Sequence, residues 1–478
     1  MTPEDIRSLF DLQYRASRAQ PEVPLALRRE RLLRLKKLLD EHGAALAAAV
    51  QMDFGMRSPR LTEVADLFVL RAQLAHTLKN LARWCRPRKV RTPLFLQPAR
   101  AYIQRQPLGV VGIIAPWNYP VQLALGPAID ALAAGNRVLI KPSELTAHTS
   151  AQLAALVGQF FAPEEMCVVE GDAAVAALVA SLPFDHLLFT GSTAVGRKVA
   201  QAAAAHLTPT TLELGGKSPA IIDADCDLAD AARKIAHGKL LNAGQTCIAP
   251  DYVLLPRGSE AAFADAYRTA VAALFPYFEG NPDYASILTP RHLARLRTLL
   301  QQARTLGAEV QQLAPVAGAP APPPASIGDG VARQMAPTLV FGVSAEMQLM
   351  QEEIFGPVLP VLSYERVDDA IAHVNAHPRP LALYWFGRSS GARDEVLART
   401  VSGGVSVNDA LLHIAHDRLP FGGVGDSGWG AYHGEQGFLR FCHQKSVLVQ
   451  SRWAAGALLY PPYGARFDRV MALLRRLY

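Results

Sequence analysis

No two of the five cysteines stand close enough in sequence to suggest a shared task. Cys85, Cys167, Cys226, Cys247 and Cys442 are odd in number, far apart, and never spaced as C-x-x-C or set beside a local His cluster. That pattern argues against a disulfide framework and against a zinc or other metal site. Also missing is any run of the roughly 18 uncharged apolar residues that a membrane span requires. The first residues, MTPEDIRSLFDLQYRASRAQ, hold no apolar signal core. Neither sign of charge dominates: 48 Lys and Arg face 42 Asp and Glu, a formal +6 on 478 residues. The densest basic cluster, RRERLLRLKK at 28–37, has no interleaved aromatics on which bases could stack. Its Leu32 and Leu35, with Leu39 beyond, recur at helical spacing, so the charges read as the solvated face of an amphipathic helix. These absences leave a globular protein with no nucleic-acid partner, suited to a reducing cytoplasm.

What is present is a chain that is 50% hydrophobic and 19% charged, long enough for two or three domains. From about residue 101 short β-rich runs alternate with helical ones: GVVGIIA, VQLALGPAIDALAAG, RVLIKPS, the Ala/Leu-rich stretch from Thr146 to Phe161, CVVEG, HLLFTGS and AVGRKVAQAAAAH. Such alternation predicts a parallel sheet with helices on both faces, an architecture of the dinucleotide-binding type. A second α/β region starts near TLELGGKSPAIID and runs past Leu362. The proline-rich stretch APVAGAPAPPPASIGDG at 314–330 reads as an extended surface loop within it. After Ala465, the residues Phe467, Val470, Met471, Leu474, Leu477 and Tyr478 share one helical face. Packing of this tail on the body or on a partner subunit is favoured over contact with a membrane surface.

Four segments carry chemistry. In IAPWNYP (114–120), Asn118 follows a predicted strand between two prolines, where a fixed amide donates to a developing oxyanion; the alternative is an Asn that only satisfies its own turn. KPSE (141–144) lies just beyond the strand RVLI, where Lys141 and Glu144 are placed to grip ribose hydroxyls unless they are simply solvated charges. FTGSTAVG (189–196) sets glycines at a strand-to-helix turn whose free N–H groups suit a pyrophosphate. Arg197 stands where a nucleotide-hydrolysing loop needs Lys, and the spacing is not G-x-G-x-x-G either. Finally, Glu213 in LELGGKSP precedes two glycines, and Cys247 closes LNAGQTC at the edge of an apolar run, where a ligand can approach. A thiol with a carboxylate base nearby is a nucleophile in waiting; otherwise it is a core cysteine beside a surface glutamate.

Together with EEIFGP (352–357) and PFGG (420–423), these segments resemble the NAD(P)-dependent aldehyde dehydrogenase superfamily, in the family's order, from about residue 20 to about residue 450. TCIAPDYVL and GVGDSGWGAYHGEQGF resemble its class 3 branch, and LPFDHLLFTGSTAVG resembles the bacterial coniferyl-aldehyde dehydrogenase group. The resemblance implies an α/β fold with a Rossmann-type cofactor domain (1–212, with an oligomerisation strand near 88–106), a catalytic domain (213–405) and a return segment with oligomerisation arm and amphipathic tail (406–478). It implies Cys247 as nucleophile, Glu213 as general base, and Asn118 with the Cys247 backbone N–H as oxyanion hole. Lys141 and Glu144 would hold the adenosine ribose, Gly191 and Ser192 the pyrophosphate, and Glu353 and Phe355 the nicotinamide ribose and ring. Trp117, Gly196, Leu214 and Gly215 would complete the cofactor site. The implied cofactor is NAD, with NADP as a second acceptor; the implied substrate is a small hydrophobic or aromatic aldehyde, such as coniferaldehyde, or a medium- to long-chain aliphatic one. The implied assembly is a homodimer.

Overall fold

The computed structural model describes residues 1–319 and 329–477. Residues 320–328 of the proline-rich stretch, and Tyr478, lie outside the described residues.

Three sheets organise the chain. A three-stranded antiparallel sheet joins β1 (Arg88–Val90), β2 (Arg100–Pro107) and, from far along the chain, β16 (Cys442–Val449). A six-stranded sheet contains β3 (Val110–Ile114), β4 (Arg137–Lys141), β5 (Met166–Val168), β6 (His186–Thr190), β7 (Thr210–Glu213) and the short β15 (Gly428–Trp429), in the order β15-β7-β6-β3-β4-β5. A seven-stranded sheet, ordered β10-β11-β12-β9-β8-β13-β14, contains β8 (Pro219–Ile222), β9 (Tyr252–Pro256), β10 (Glu309–Gln312), β11 (Thr338–Phe341), β12 (Val358–Tyr364), β13 (Ala382–Phe386) and β14 (Gly404–Val407).

The central strands β3, β4 and β6 are buried along their whole length and pair in parallel. Their near-continuous apolar sequences follow from having helices on both faces. Alternate residues serve alternate sides: Val111 and Ile113 join one core with the helices Leu25–Phe54 and Gln122–Ala134, whereas Val110 and Ile114 join another with Phe10 of the N-terminal helix. The chain moves outward from β3 to β4 and β5, then returns to place β6 on the other flank of β3. That reversal opens a crevice at the carboxyl ends of β3 and β6, where ligands bind in such sheets.

The helix Leu25–Phe54 corrects one expectation about the basic cluster. Arg28 and Arg31 are buried, not solvated. Arg31 pairs with Glu165 at 2.9 Å, and Arg28 Nε donates to the Val23 carbonyl at 2.9 Å. The helix packs against several neighbours, so its inner face needed more than the leucine stripe. The amphipathic tail forms the helix Ala465–Leu477, with Phe467, Val470, Met471 and Leu474 only partly covered. Among the described residues no helix is long and apolar enough to cross a membrane.

Gly135 ends the fully buried helix Gln122–Ala134 at φ 96°, and a Cβ there would lie 3.0 Å from the Arg28 guanidinium carbon. Gly135→Ala should therefore cost about 1 kcal/mol or more. The check is thermal denaturation, where an unchanged midpoint would contradict both the strain and the contact.

Candidate active site

Four of the sequence motifs leave the carboxyl ends of four adjacent strands, β7, β6, β3 and β4. β3 runs into Pro116, Trp117 and Asn118; β4 ends on Lys141; β6 leads to Gly191 and Ser192; and β7 ends on Glu213. Parallel pairing thus brings segments roughly a hundred residues apart to one edge.

At the β4 end, Lys141 is buried and its Nζ donates to Glu144 Oε2 at 2.8 Å, while Glu144 remains partly exposed. At the β6 end, Ser192 caps the helix Thr193–Ala204 by accepting from the Val195 N–H. The first turn of that helix is exposed, so its N–H groups face outward as a dinucleotide pyrophosphate requires. Gly196 lets the helix settle on Leu214, whose Cδ2 would stand 2.6 Å from an added Cβ. A Cβ at Gly215 would sit inside the Glu353 carboxylate. The glycines therefore let backbone, Leu214 and Glu353 converge on a narrow cradle, and this donor set fits a dinucleotide.

Phe355 holds a positive φ of 54°, rare for a bulky residue. Its ring meets Trp117 edge-on at 5.3 Å, and Trp117 stacks on His292 at 4.9 Å. Arg295 fixes this segment from behind by donating to the Glu353 and Ile354 carbonyls.

Cys247 follows a left-handed bend: Asn242, Ala243 and Gly244 have φ of 53°, 52° and 77°. A Cβ at Gly244 would collide with the Gly356 carbonyl, so the cysteine turn and the EEIFGP segment lie backbone to backbone. Asn118 Nδ2 donates to the Gln245 carbonyl at 3.2 Å. An amide nitrogen carries two hydrogens, so the second is left for a ligand. Thr246 Oγ1 and Tyr119 Oη are 2.6 Å apart, tying the same two loops together again. Cys247 and Glu213 both border a cavity of about 650 Å³ whose wall includes Phe68, Leu123, Leu411, Phe421 and Tyr432.

Glu213 is almost fully buried, and neither carboxyl oxygen has a hydrogen-bond partner among the described residues. Burial pushes its pKa well above the usual carboxylate range. Burial also raises the Cys247 thiol, reinforced by the neighbouring Glu353 and Glu213 carboxyls. Glu353 is itself pushed up to about 8, first by burial and then by Asp251. Burial thus disfavours the charged forms of both the thiol and Glu213.

The structure brings Cys247, Glu213, Asn118 and the cofactor motifs together at one edge, joined by Arg57, Asp66 and an aromatic wall that sequence reasoning did not single out. Tyr119 stood beside Asn118 and Phe421 within PFGG, the only local signals available.

Fold and site together define a dinucleotide-dependent oxidoreductase with a thiol at the foot of an apolar channel. The chain belongs to the aldehyde dehydrogenase family, whose model matches residues 1–447. It is 46% identical to a probable coniferyl aldehyde dehydrogenase of Pseudomonas aeruginosa, over 98% of this chain and 95% of that protein. It is 39% identical to mouse aldehyde dehydrogenase family 3 member A2, over 94% of this chain and 89% of that one. The substrate-bound Staphylococcus aureus AldH superposes with a TM-score of 0.89 at 35% identity, covering 98% of this chain and 99% of its own. The protein is thus an NAD(P)-dependent enzyme that oxidises an aldehyde to the carboxylic acid.

A raised thiol pKa means that the thiolate appears only at pH values above the ordinary thiol range. Alkylation of Cys247 by iodoacetamide in the cofactor-free protein should be slow at pH 7 and still rising at pH 10. A plateau below pH 8 would show that the resting site already holds a thiolate.

Proposed function

We propose that the substrate is a hydrophobic or aromatic aldehyde of the coniferaldehyde type, and that Cys247, Glu213 and Asn118 carry the reaction. The observation behind this reading is the apolar, aromatic-walled cavity of about 650 Å³ that ends on Cys247 and Glu213. The coniferyl aldehyde dehydrogenases among the relatives support the same substrate class. A medium- or long-chain aliphatic aldehyde is the second reading, favoured by the leucines that share the wall.

In this mechanism the partly exposed Cys247 thiol gives its proton to solvent, the sulfur attacks the aldehyde carbon, and the carbonyl oxygen becomes an alkoxide. The free N–H of Asn118 Nδ2 and the Cys247 backbone N–H stabilise that charge. The bound nicotinamide supplies the hydride acceptor. Collapse of the tetrahedral centre leaves a thioester on Cys247. Glu213, in its ionised form, takes a proton from water; the resulting hydroxide attacks the thioester carbon, the C–S bond breaks, and the acid departs. Because burial raises the Glu213 pKa, its base form is scarce below that pKa and grows as pH rises through it, so turnover should increase as pH is raised through that range.

Around this centre, Lys141 and Glu144 hold the adenosine ribose, Gly191 and Ser192 the pyrophosphate, and Glu353 and Phe355 the nicotinamide half. Trp117, Gly196, Leu214 and Gly215 shape the floor. Glu144 disfavours a 2′-phosphate, so NAD is preferred over NADP. The chain divides into a cofactor domain (1–212), a catalytic domain (213–405) and a return segment with arm and tail (406–478), a reading supported by the seven-stranded sheet, whose strands lie between Pro219 and Val407. Exposed Val90, Leu448 and Val449 on the three-stranded sheet offer an apolar surface to a second copy, in keeping with a homodimer.

The mechanism is tested by Glu213→Gln, which keeps side-chain size but cannot accept a proton. A single equivalent of NADH should form and turnover should then stall on an acyl-enzyme; wild-type turnover would move the deacylation base elsewhere. The substrate class is tested by kcat/KM across an aldehyde panel. Coniferaldehyde should rank above saturated C6 to C12 aldehydes, and the reverse order would select the aliphatic reading.

A further inference from the structure

Arg57 and Asp66 form a completely buried ion pair, with Arg57 Nη2 2.7 Å from Asp66 Oδ2 and neither side chain exposed. A buried pair is costly to desolvate and is a weak source of stability by itself. Its other contacts show what it holds. Arg57 Nη1 donates to the Asn118 carbonyl at 2.6 Å and to Asn242 Oδ1 at 3.3 Å. Asn242 Nδ2 in turn donates to the same Asn118 carbonyl at 3.0 Å, and Gln245 Nε2 donates to the Asn242 carbonyl at 3.0 Å. One guanidinium therefore joins the loop of the oxyanion amide to the bend that carries Cys247. Its plane is held by Phe54 and Tyr119, whose ring centres lie 4.7 and 5.1 Å from the guanidinium carbon.

Asp66 fixes the far end of the fork and is itself fixed, accepting from the Gln122 N–H through Oδ1 at 3.0 Å. It lies in a five-residue π-helical turn, Glu63–Leu67, inside an otherwise α-helical stretch. Such turns rotate side chains away from the regular helical register and gather at functional sites. Here Val64 and Phe68, on either side of Asp66, border the cavity that ends on Cys247.

We propose that Arg57, oriented by Asp66, is a positioning residue that sets Asn118 against Cys247 for alkoxide stabilisation. It does not border the cavity and acts through the Asn118 carbonyl. The proposal rests on the reading of Asn118 as the oxyanion donor. A lysine at 57 keeps a cation against Asp66 but offers a single point of donation, so it cannot bridge Asp66 and the Asn118 carbonyl with the same fork.

The test is a double-mutant cycle on the single-turnover rate of NADH formation, with NAD affinity read from quenching of tryptophan fluorescence. Arg57→Lys should slow the step about tenfold or more, because small displacements of a catalytic group are expensive. Aldehyde KM and NAD affinity should stay roughly unchanged. In an Asn118→Ala background the same substitution should add no further loss, since the group it positions is gone. Should Arg57→Lys fail to fold, Asp66→Asn enters the same cycle with the same expected pattern. A folded Arg57→Lys with the wild-type rate, or one that slows the Asn118→Ala enzyme by the full factor, would overturn the positioning role alone. An Asn118→Ala enzyme with the wild-type rate would remove the oxyanion reading, and this proposal with it.

Discussion

The chemistry of this molecule depends on drawing Glu213, Cys247 and Glu353 away from water together, Glu213 almost completely and the other two in part. Each carries a raised pKa with burial as its first cause. A protein could relieve that cost by pairing the carboxylates, yet Glu213 has no hydrogen-bond partner at either oxygen among the described residues. The consequence is a site in which burial disfavours each negative charge and which responds strongly when charge appears. In the proposed mechanism an alkoxide over Cys247 would meet few competing dipoles, and the Asn118 amide would act at low dielectric, where a single donor is most effective. A carboxylate with a raised pKa is also a stronger base once ionised, which suits removal of a proton from water.

The same dryness requires close approach of backbone to backbone. The cysteine turn and the EEIFGP segment touch at Gly244 and Gly356, and Glu353 reaches the cradle only because residue 215 lacks a side chain. Leu214 meets the first turn of the helix Thr193–Ala204 at Gly196 for the same reason. These contacts explain why so much of the site was legible in the sequence. A position that excludes a Cβ leaves a glycine at a fixed offset from the functional residue, and GSTAVG, ELGGK and EEIFGP are such records. The parallel sheet was legible for a related cause: VVGII, RVLIK and HLLFT are apolar throughout because both faces are covered.

What was not legible depends on partners distant in the chain. Asp66 and Arg57 are nine residues apart on segments without a motif, and the carbonyl that Arg57 grips belongs to Asn118. The channel wall gathers Phe68, Leu123, Phe421 and Tyr432 from separate elements, so no window of sequence contains it. The basic cluster at 28–37 misled for the opposite reason. Its local pattern was amphipathic, but Arg31 found Glu165 at the edge of β5 and went inside. Local periodicity reports which face has an apolar neighbour; it is silent about a cation that meets a carboxylate across the interface.

The lining of the channel also bears on the direction of traffic. An aldehyde is neutral and gains by leaving water for an apolar wall. The product is a carboxylic acid whose ionised form pays, in the same cavity, the penalty that lifts Glu213 above its usual range. Unless a cation waits within the cavity, the carboxylate is held less tightly than the aldehyde it came from. The charged groups bordering the cavity include Arg233 and Lys234, and both already pair with Asp230. Asp409 and Asp417 stand on the same border, so ionisation of the product opposes its rebinding. Desolvation that perturbs Glu213 thereby favours a neutral aldehyde over a charged carboxylate in the cavity that ends on Cys247.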